Sequence, residues 1–200
     1  MDVLVQTLYV TTTYLLVPVV LALLGLLAWS LLELGGFFRE GRERRRTGRS
    51  FAEFEAGLRQ GNRKAEEFFD LPGPPGFLGR FQGFGLDLAT RSPHAEKIAD
   101  DLEIAAEGLL ARMKLGVRLG PMLGLMGTLI PMGPALLGLS KGDLDVLARN
   151  LVVAFATTVL GLLAGGICYG IALSRRRWYA SDLAAVEYLR RCLELEKEEA

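Results

Sequence analysis

Leu115–Leu139 reads LGVRLGPMLGLMGTLIPMGPALLGL, and Leu147–Leu173 reads LARNLVVAFATTVLGLLAGGICYGIAL. From Leu119 to Ser140 there is no charged side chain, and none from Asn150 to Ser174. Each run exceeds the roughly 20 residues that an α-helix needs to cross the hydrocarbon core of a bilayer. Joined by the short polar stretch Ser140–Arg149, the two segments read as a helical hairpin inside a membrane. Gly116, Gly120, Gly124 and Thr128 recur every four residues and line one face of the first helix. Ala154, Thr158, Gly161 and Gly165 do the same on the second. Small stripes let backbones approach closely, which is how helices associate where lipid removes the hydrophobic drive between them. Gly116, Gly120, Ala154 and Gly165 are therefore assigned to helix packing. Pro131 cannot donate to the carbonyl of Gly127, nor Pro134 to that of Ile130, so both mark an expected helix break. Carbonyls freed in this way, beside the mid-span hydroxyls of Thr128 and Thr158, are tolerable only against protein or water.

Outward from the hairpin, a third uncharged run extends from Val3 to Leu32. It is too long for a signal-peptide core and lacks a basic leader or a small-residue cleavage site, so a retained span over about Thr11–Leu34 is expected. The fold class that follows is all-α, an integral membrane protein with three transmembrane helices. Its expected division is an N-terminal span (1–36), a cytoplasmic helical segment (37–114), the transmembrane hairpin (115–174) and a cytoplasmic C-terminal helix (175–200).

Net charge is zero, so no bulk basic field points to nucleic acid. Placement of the charges says more. Lys and Arg crowd into residues 37–118 and the tail from Arg175, whereas the 140–149 turn carries only Lys141 and Arg149. The positive-inside rule then sets the N-terminus outside and the C-terminus in the cytoplasm. Cys168 lies within a span and Cys192 in the tail, so both are expected as free thiols. One His and two separated Cys offer no metal site, and no nucleotide-binding or hydrolase motif is present. No enzyme, cofactor or catalytic residue is expected.

In the inner segment, Ser50-Phe51-Ala52-Glu53 fits a capping box and predicts a helix over Phe51–Phe69, burying Phe51, Phe54, Leu58 and Phe68. LPGPPG at 71–76 breaks the chain. Ser92-Pro93 starts a helix whose stripe of Ile98, Leu102, Ala105, Leu109 and Met113 continues into the second span. In the tail, Trp178, Leu183, Val186, Leu189 and Leu193 form a similar face.

At GPMLGLMGTLI and AFATTVLGLLAGG the chain resembles the MotA/TolQ/ExbB family of proton-driven motor channels. Gly124, Leu125, Met126, Gly127 and Thr128 match the Gly-Leu-x-Gly-Thr core of the family's second span. Ala154, Thr158, Gly161, Leu162 and Ala164 match the Ala-x-x-x-Thr-x-x-Gly-Leu-x-Ala pattern of its third. The resemblance covers residues 95–190, and three spans with one sizeable inner loop favour the ExbB/TolQ branch. It implies a homopentameric ring whose last two spans line a pore. Thr128, Thr158, Gly127, Gly124 and Gly161 would then lie along the path of a translocated proton, or of sodium. It also implies a single-span partner of the ExbD/TolR/MotB type that supplies a membrane Asp, and a location in the inner membrane of a prokaryote. Two departures stand out. Val153 occupies a position where some ExbB-like members carry Glu, and LIPMGPALLG is unusually rich in Pro. Two competing functions are a non-conducting scaffold of similar architecture and a solute transporter. The transporter is disfavoured because three spans show no inverted repeat.

Overall fold

The structure is a computed structural model and describes residues 2–89 and 92–199. It contains five α-helices in the order α1 (Asp2–Arg59), α2 (Gly76–Gln82), α3 (Gly85–Ala89), α4 (Ser92–Ser140) and α5 (Leu144–Glu199), with a 3₁₀ helix at Ala65–Asp70 between α1 and α2. Helices α1, α4 and α5 are each long and apolar enough to cross a membrane. The chain divides into two compact units, Met1–Leu34 with Arg112–Ala172, and Gly35–Ala111 with Leu173–Ala200.

The first unit is the apolar one. Its core is thin: Val19 and Leu23 of α1, Met113 and Ala135 of α4, and Ala154, Ala164, Cys168 and Ile171 of α5 are buried. Larger side chains such as Met122, Leu125, Leu129, Phe155, Val159 and Leu162 are exposed. This inversion is what a bilayer permits, because lipid tails receive Leu as readily as a protein core does. The turn between α4 and α5 is closed by backbone bonds from Lys141 and Asp143 to the Gly138 carbonyl, at 3.0 and 2.9 Å. Asp143 Oδ1 accepts from the Val146 amide at 3.0 Å, satisfying one of the free donors at the start of α5.

The second unit is built like a water-soluble bundle. Phe54, Phe68, Phe77, Phe81, Ile98, Leu102, Val186, Leu189 and Leu193 are buried together. The rings of Phe51, Phe54, Phe68 and Phe81 stand about 6 Å apart in edge and tilted contacts. Gln82 Nε2 donates to the carbonyls of Phe68, Phe69 and Leu71 at 3.0, 3.3 and 2.8 Å, fastening the 3₁₀ segment.

Two local expectations are corrected. The separate helix over Phe51–Phe69 does not exist: α1 runs through Ser50 to Arg59 and ends at the turn where Asn62 N–H meets the Gly57 carbonyl at 3.0 Å. The sequence after the first span is rich in Arg and Glu, which are good helix formers, and has no Pro before Leu71, so the helix continues through its glycines Gly35, Gly36, Gly41, Gly48 and Gly57. The predicted apolar face survives, with Phe54 and Phe68 buried and Phe51 and Leu58 packed against them. Likewise, the break at Pro131 and Pro134 is absent. Helix α4 passes through Pro121, Pro131 and Pro134 without interruption, as proline inside a transmembrane helix can. The 71–76 break is present, and α4 begins at Ser92, whose side chain lies outside the described ones.

Candidate functional site

The small-residue stripes meet face to face. A Cβ placed on Gly120 would stand 2.5 Å from the Gly161 carbonyl oxygen and 2.8 Å from the Gly165 nitrogen. A Cβ on Gly161 would in turn stand 2.5 Å from the Gly120 carbonyl oxygen. Neither distance is open to a real side chain, so α4 and α5 touch backbone to backbone at this level. Above and below, side chains enter the contact. Gly124 would meet Thr157 O at 3.4 Å and Thr158 Cα at 3.5 Å, Gly165 faces the Pro121 ring, and Gly116 abuts Cys168 and Trp29.

Gly124, Gly127 and Gly161 are therefore buried between the two helices of one chain. Thr128 and Thr158 are half-exposed. Thr128 Oγ1 donates to the Leu125 carbonyl at 2.7 Å, and Thr158 Oγ1 to that of Ala154 at 3.1 Å. Pro131 is buried and Pro134 half-buried on the same helix as Thr128.

Sequence reasoning passed over Thr157. It is 4% exposed, and its side chain occupies the hollow left by Gly127, whose Cβ would lie 2.6 Å from Thr157 Oγ1. Its hydroxyl reaches both the Val153 and the Ala154 carbonyl at 2.9 Å. A signal was available: Thr157 lies three residues after Ala154 and four before Gly161, on the small-residue face. The family pattern weights its neighbour instead.

The second unit holds the main polar cluster. Arg44 forms a two-pronged pair with Asp182 at 2.8 and 2.7 Å, with only 14% and 6% of the two side chains exposed. Asp182 Oδ2 also accepts from the Phe77 amide at 3.1 Å, capping α2. Glu40 stands 3.4 Å from Arg44 and 3.2 Å from Arg175. Burial works against the charge of Arg44, and the carboxylates of Asp182 and Glu40 more than offset it, so its pKa is raised. Burial, with Glu40 adding to it, pushes the Tyr179 phenol up. Gly76, at φ +70°, leaves room for this pair, since a Cβ there would collide with both Asp182 and Arg44.

Three long apolar helices, two of them packed backbone to backbone, define a multi-pass helical membrane protein. The chain belongs to the MotA/TolQ/ExbB proton channel family, whose model matches residues 78–184, more than half its length. The match starts at Leu78 in α2, ahead of residue 95 where the resemblance read from the sequence begins. No curated protein and no solved structure matches the chain. The family is one of channels rather than of enzymes.

Proposed function

We propose that the chain is the channel subunit of an ion-driven motor of the ExbB/TolQ type. Five copies form a ring in the inner membrane of a prokaryote, with the N-terminus outside and the C-terminus in the cytoplasm. The α4–α5 hairpins line the pore, where a single-span ExbD/TolR/MotB-like partner contributes a membrane Asp. A proton, or sodium, passes by way of that Asp, and its passage moves the partner against the ring. Thr128 and Thr158 line the pathway. Gly124, Gly127 and Gly161 serve it by holding the lining helices together.

The observation that carries this proposal is the family match over a hairpin that has no Asp, Glu, Lys, Arg or His from Leu119 to Ser140 or from Asn150 to Ser174. An ionisable group inside a membrane is costly and marks an ion path. A channel family member without one needs it from another polypeptide. The alternative of a non-conducting scaffold draws on the hydroxyl geometry, since Thr128, Thr157 and Thr158 all bond carbonyls of their own helix, as packing residues do.

Reconstitution in vesicles with a co-purified single-span partner separates the two. Thr158→Val, close in volume but without the hydroxyl, should abolish ion flux while the oligomer persists by native mass measurement. Undiminished flux in that variant would remove Thr158 from the pathway, and absence of flux from the native complex would favour the scaffold.

A further inference from the structure

The second unit contains a cavity of about 660 Å³ that the channel function does not use. One wall is the stacked pair Phe37 and Trp178, with ring centroids 5.0 Å apart and planes 8° from parallel. Phe38 stands edge-on to Phe37 and is itself 66% exposed. The floor is Gly41, where a Cβ would already stand 3.3 Å from the Trp178 ring. Three arginines line the cavity, Arg42, Arg44 and Arg45. Arg44 is neutralised by Asp182 and Glu40 and lies over Trp178 at 5.1 Å. Arg42 and Arg45 are exposed and have no ion-pair partner among the described residues. The cavity thus offers two uncompensated positive charges beside an open aromatic ring.

Its place along α1 selects the ligand. The apolar run ends at Leu32–Leu34, and Phe37 and Phe38 follow within one turn. At 1.5 Å per residue, Arg42 and Arg45 lie about 12 and 17 Å past Leu34 along the helix. Side chains of a helix tilt toward its N-terminus, here back toward the apolar run, and arginine is long enough to reach the headgroup layer. Exposed Phe38 suits the acyl border, and the two guanidinium groups suit a phosphodiester, with which Arg pairs in a two-pronged fashion.

We infer that the Phe37–Phe38–Gly41–Arg42–Arg45–Trp178 cavity seats the headgroup of an anionic phospholipid. The lipid phosphate is held by Arg42 and Arg45 and the start of its acyl chain lies against Phe38. This is a discrete seat, distinct from the diffuse attraction that any basic segment has for an anionic membrane.

The test is native mass spectrometry of the detergent-solubilised full chain, titrated with phosphatidylglycerol, with phosphatidylcholine of the same acyl chains, and with inorganic phosphate. Phosphatidylglycerol should be retained, and the other two should not compete for its place. In Arg42→Gln/Arg45→Gln its affinity should fall more than about tenfold, because two charge-assisted contacts to the phosphate are lost. Arg39→Gln/Arg46→Gln removes the same charge at nearly the same average position on α1 from two arginines that do not line the cavity, and should weaken binding clearly less than Arg42→Gln/Arg45→Gln. Phe38→Ala, which alters no charge, should weaken retention several-fold. Equal losses in the two double variants would reduce the site to diffuse charge and overturn the inference. So would equal retention of phosphatidylcholine, displacement of the lipid by inorganic phosphate, or an unchanged affinity in Phe38→Ala.

Discussion

Replacing Gly120 with Ala tests the contact on which the apolar unit depends. The added methyl would lie 2.5 Å from the Gly161 carbonyl oxygen, 2.8 Å from the Gly165 nitrogen and 3.0 Å from the Gly165 Cα. A carbon–oxygen contact needs about 3.3 Å or more, so the shortfall is about 0.8 Å. All three opposing atoms are backbone, and no rotamer change can relieve the overlap. The helices must separate, and a gap of 0.5–1 Å already forfeits roughly a quarter to a half of the dispersion energy of each contact it opens. Overpacking of this kind costs about 1–3 kcal/mol, set against the ~1 kcal/mol by which Ala outranks Gly inside a helix. Gly25→Ala and Gly166→Ala make the needed controls, because nothing lies within 4 Å of a Cβ at either position. The propensity gain is common to the controls, so unfolding by sodium dodecyl sulfate titration from mild-detergent micelles should place Gly120→Ala about 1–3 kcal/mol below both of them. A difference under about 0.5 kcal/mol would mean that α4 and α5 do not pack through Gly120, and the backbone contact would have to be abandoned.

Four further outcomes follow from the same geometry. Asp182→Ala leaves the buried Arg44 charge with Glu40 alone and uncaps α2 at Phe77, so it should destabilise the second unit by up to about 3 kcal/mol; replacing Arg44 with Met in that background should recover part of the loss, read by thermal melting. Gly76→Ala must hold φ +70° and collide with Asp182 and Arg44, and should lower the same melting temperature, with less than additive effect when combined with Asp182→Ala. Glu187 is held at about 2 rather than 4.5 by its bonds to Arg190 and then Arg191. Its folded value lies below its unfolded one, so its contribution is present above pH 4.5 and lost as pH falls toward 2; Glu187→Gln should flatten that part of the acid-unfolding curve, and only modestly, because the side chain is 39% exposed. Thr157→Val keeps the shape that fills the Gly127 hollow and should leave stability within about 1 kcal/mol of the parent, whereas Thr157→Leu should not; equal stability of the two variants would show that the hollow tolerates extra volume.

The three long helices were legible because nothing in a bilayer masks their signal: uncharged runs of that length have few other uses. The small-residue stripes were legible for a related reason, since Gly every four residues costs helix propensity and needs a compensating contact. Two features misled. Ser50-Phe51-Ala52-Glu53 has the letters of a capping box, but a capping box acts only where a helix already begins, and α1 arrives there from residue 2 unbroken. Pro131 and Pro134 each remove a hydrogen bond, yet α4 stays helical on both sides of them, as transmembrane helices packed on a neighbour can. The candidate site was legible as a set of positions and not as an arrangement. Sequence gives Gly124, Gly127 and Gly161 as small; only the packed hairpin shows that they face α4 or α5 of the same chain. Thr157 stayed hidden because two adjacent threonines differ only in the direction they point, which depends on the rotation of α5 against its partner.

A hydroxyl group has a single hydrogen to give. On this hairpin Thr128, Thr157 and Thr158 each direct theirs at a carbonyl of their own helix. Thr157 is enclosed between the helices, so it is Thr128 and Thr158 that present lone pairs alone toward anything outside; proline also leaves the carbonyls of Gly127 and Ile130 without an amide. Where Thr128 and Thr158 line an ion path, as proposed above, that lining is electron-rich and poor in donors. It suits a visitor that brings its own hydrogen, a neutral carboxylic acid or a water molecule, and offers little to a bare carboxylate. A carboxyl group passing this surface would thus be met most favourably in its loaded form and would have to find its stabilisation elsewhere after unloading.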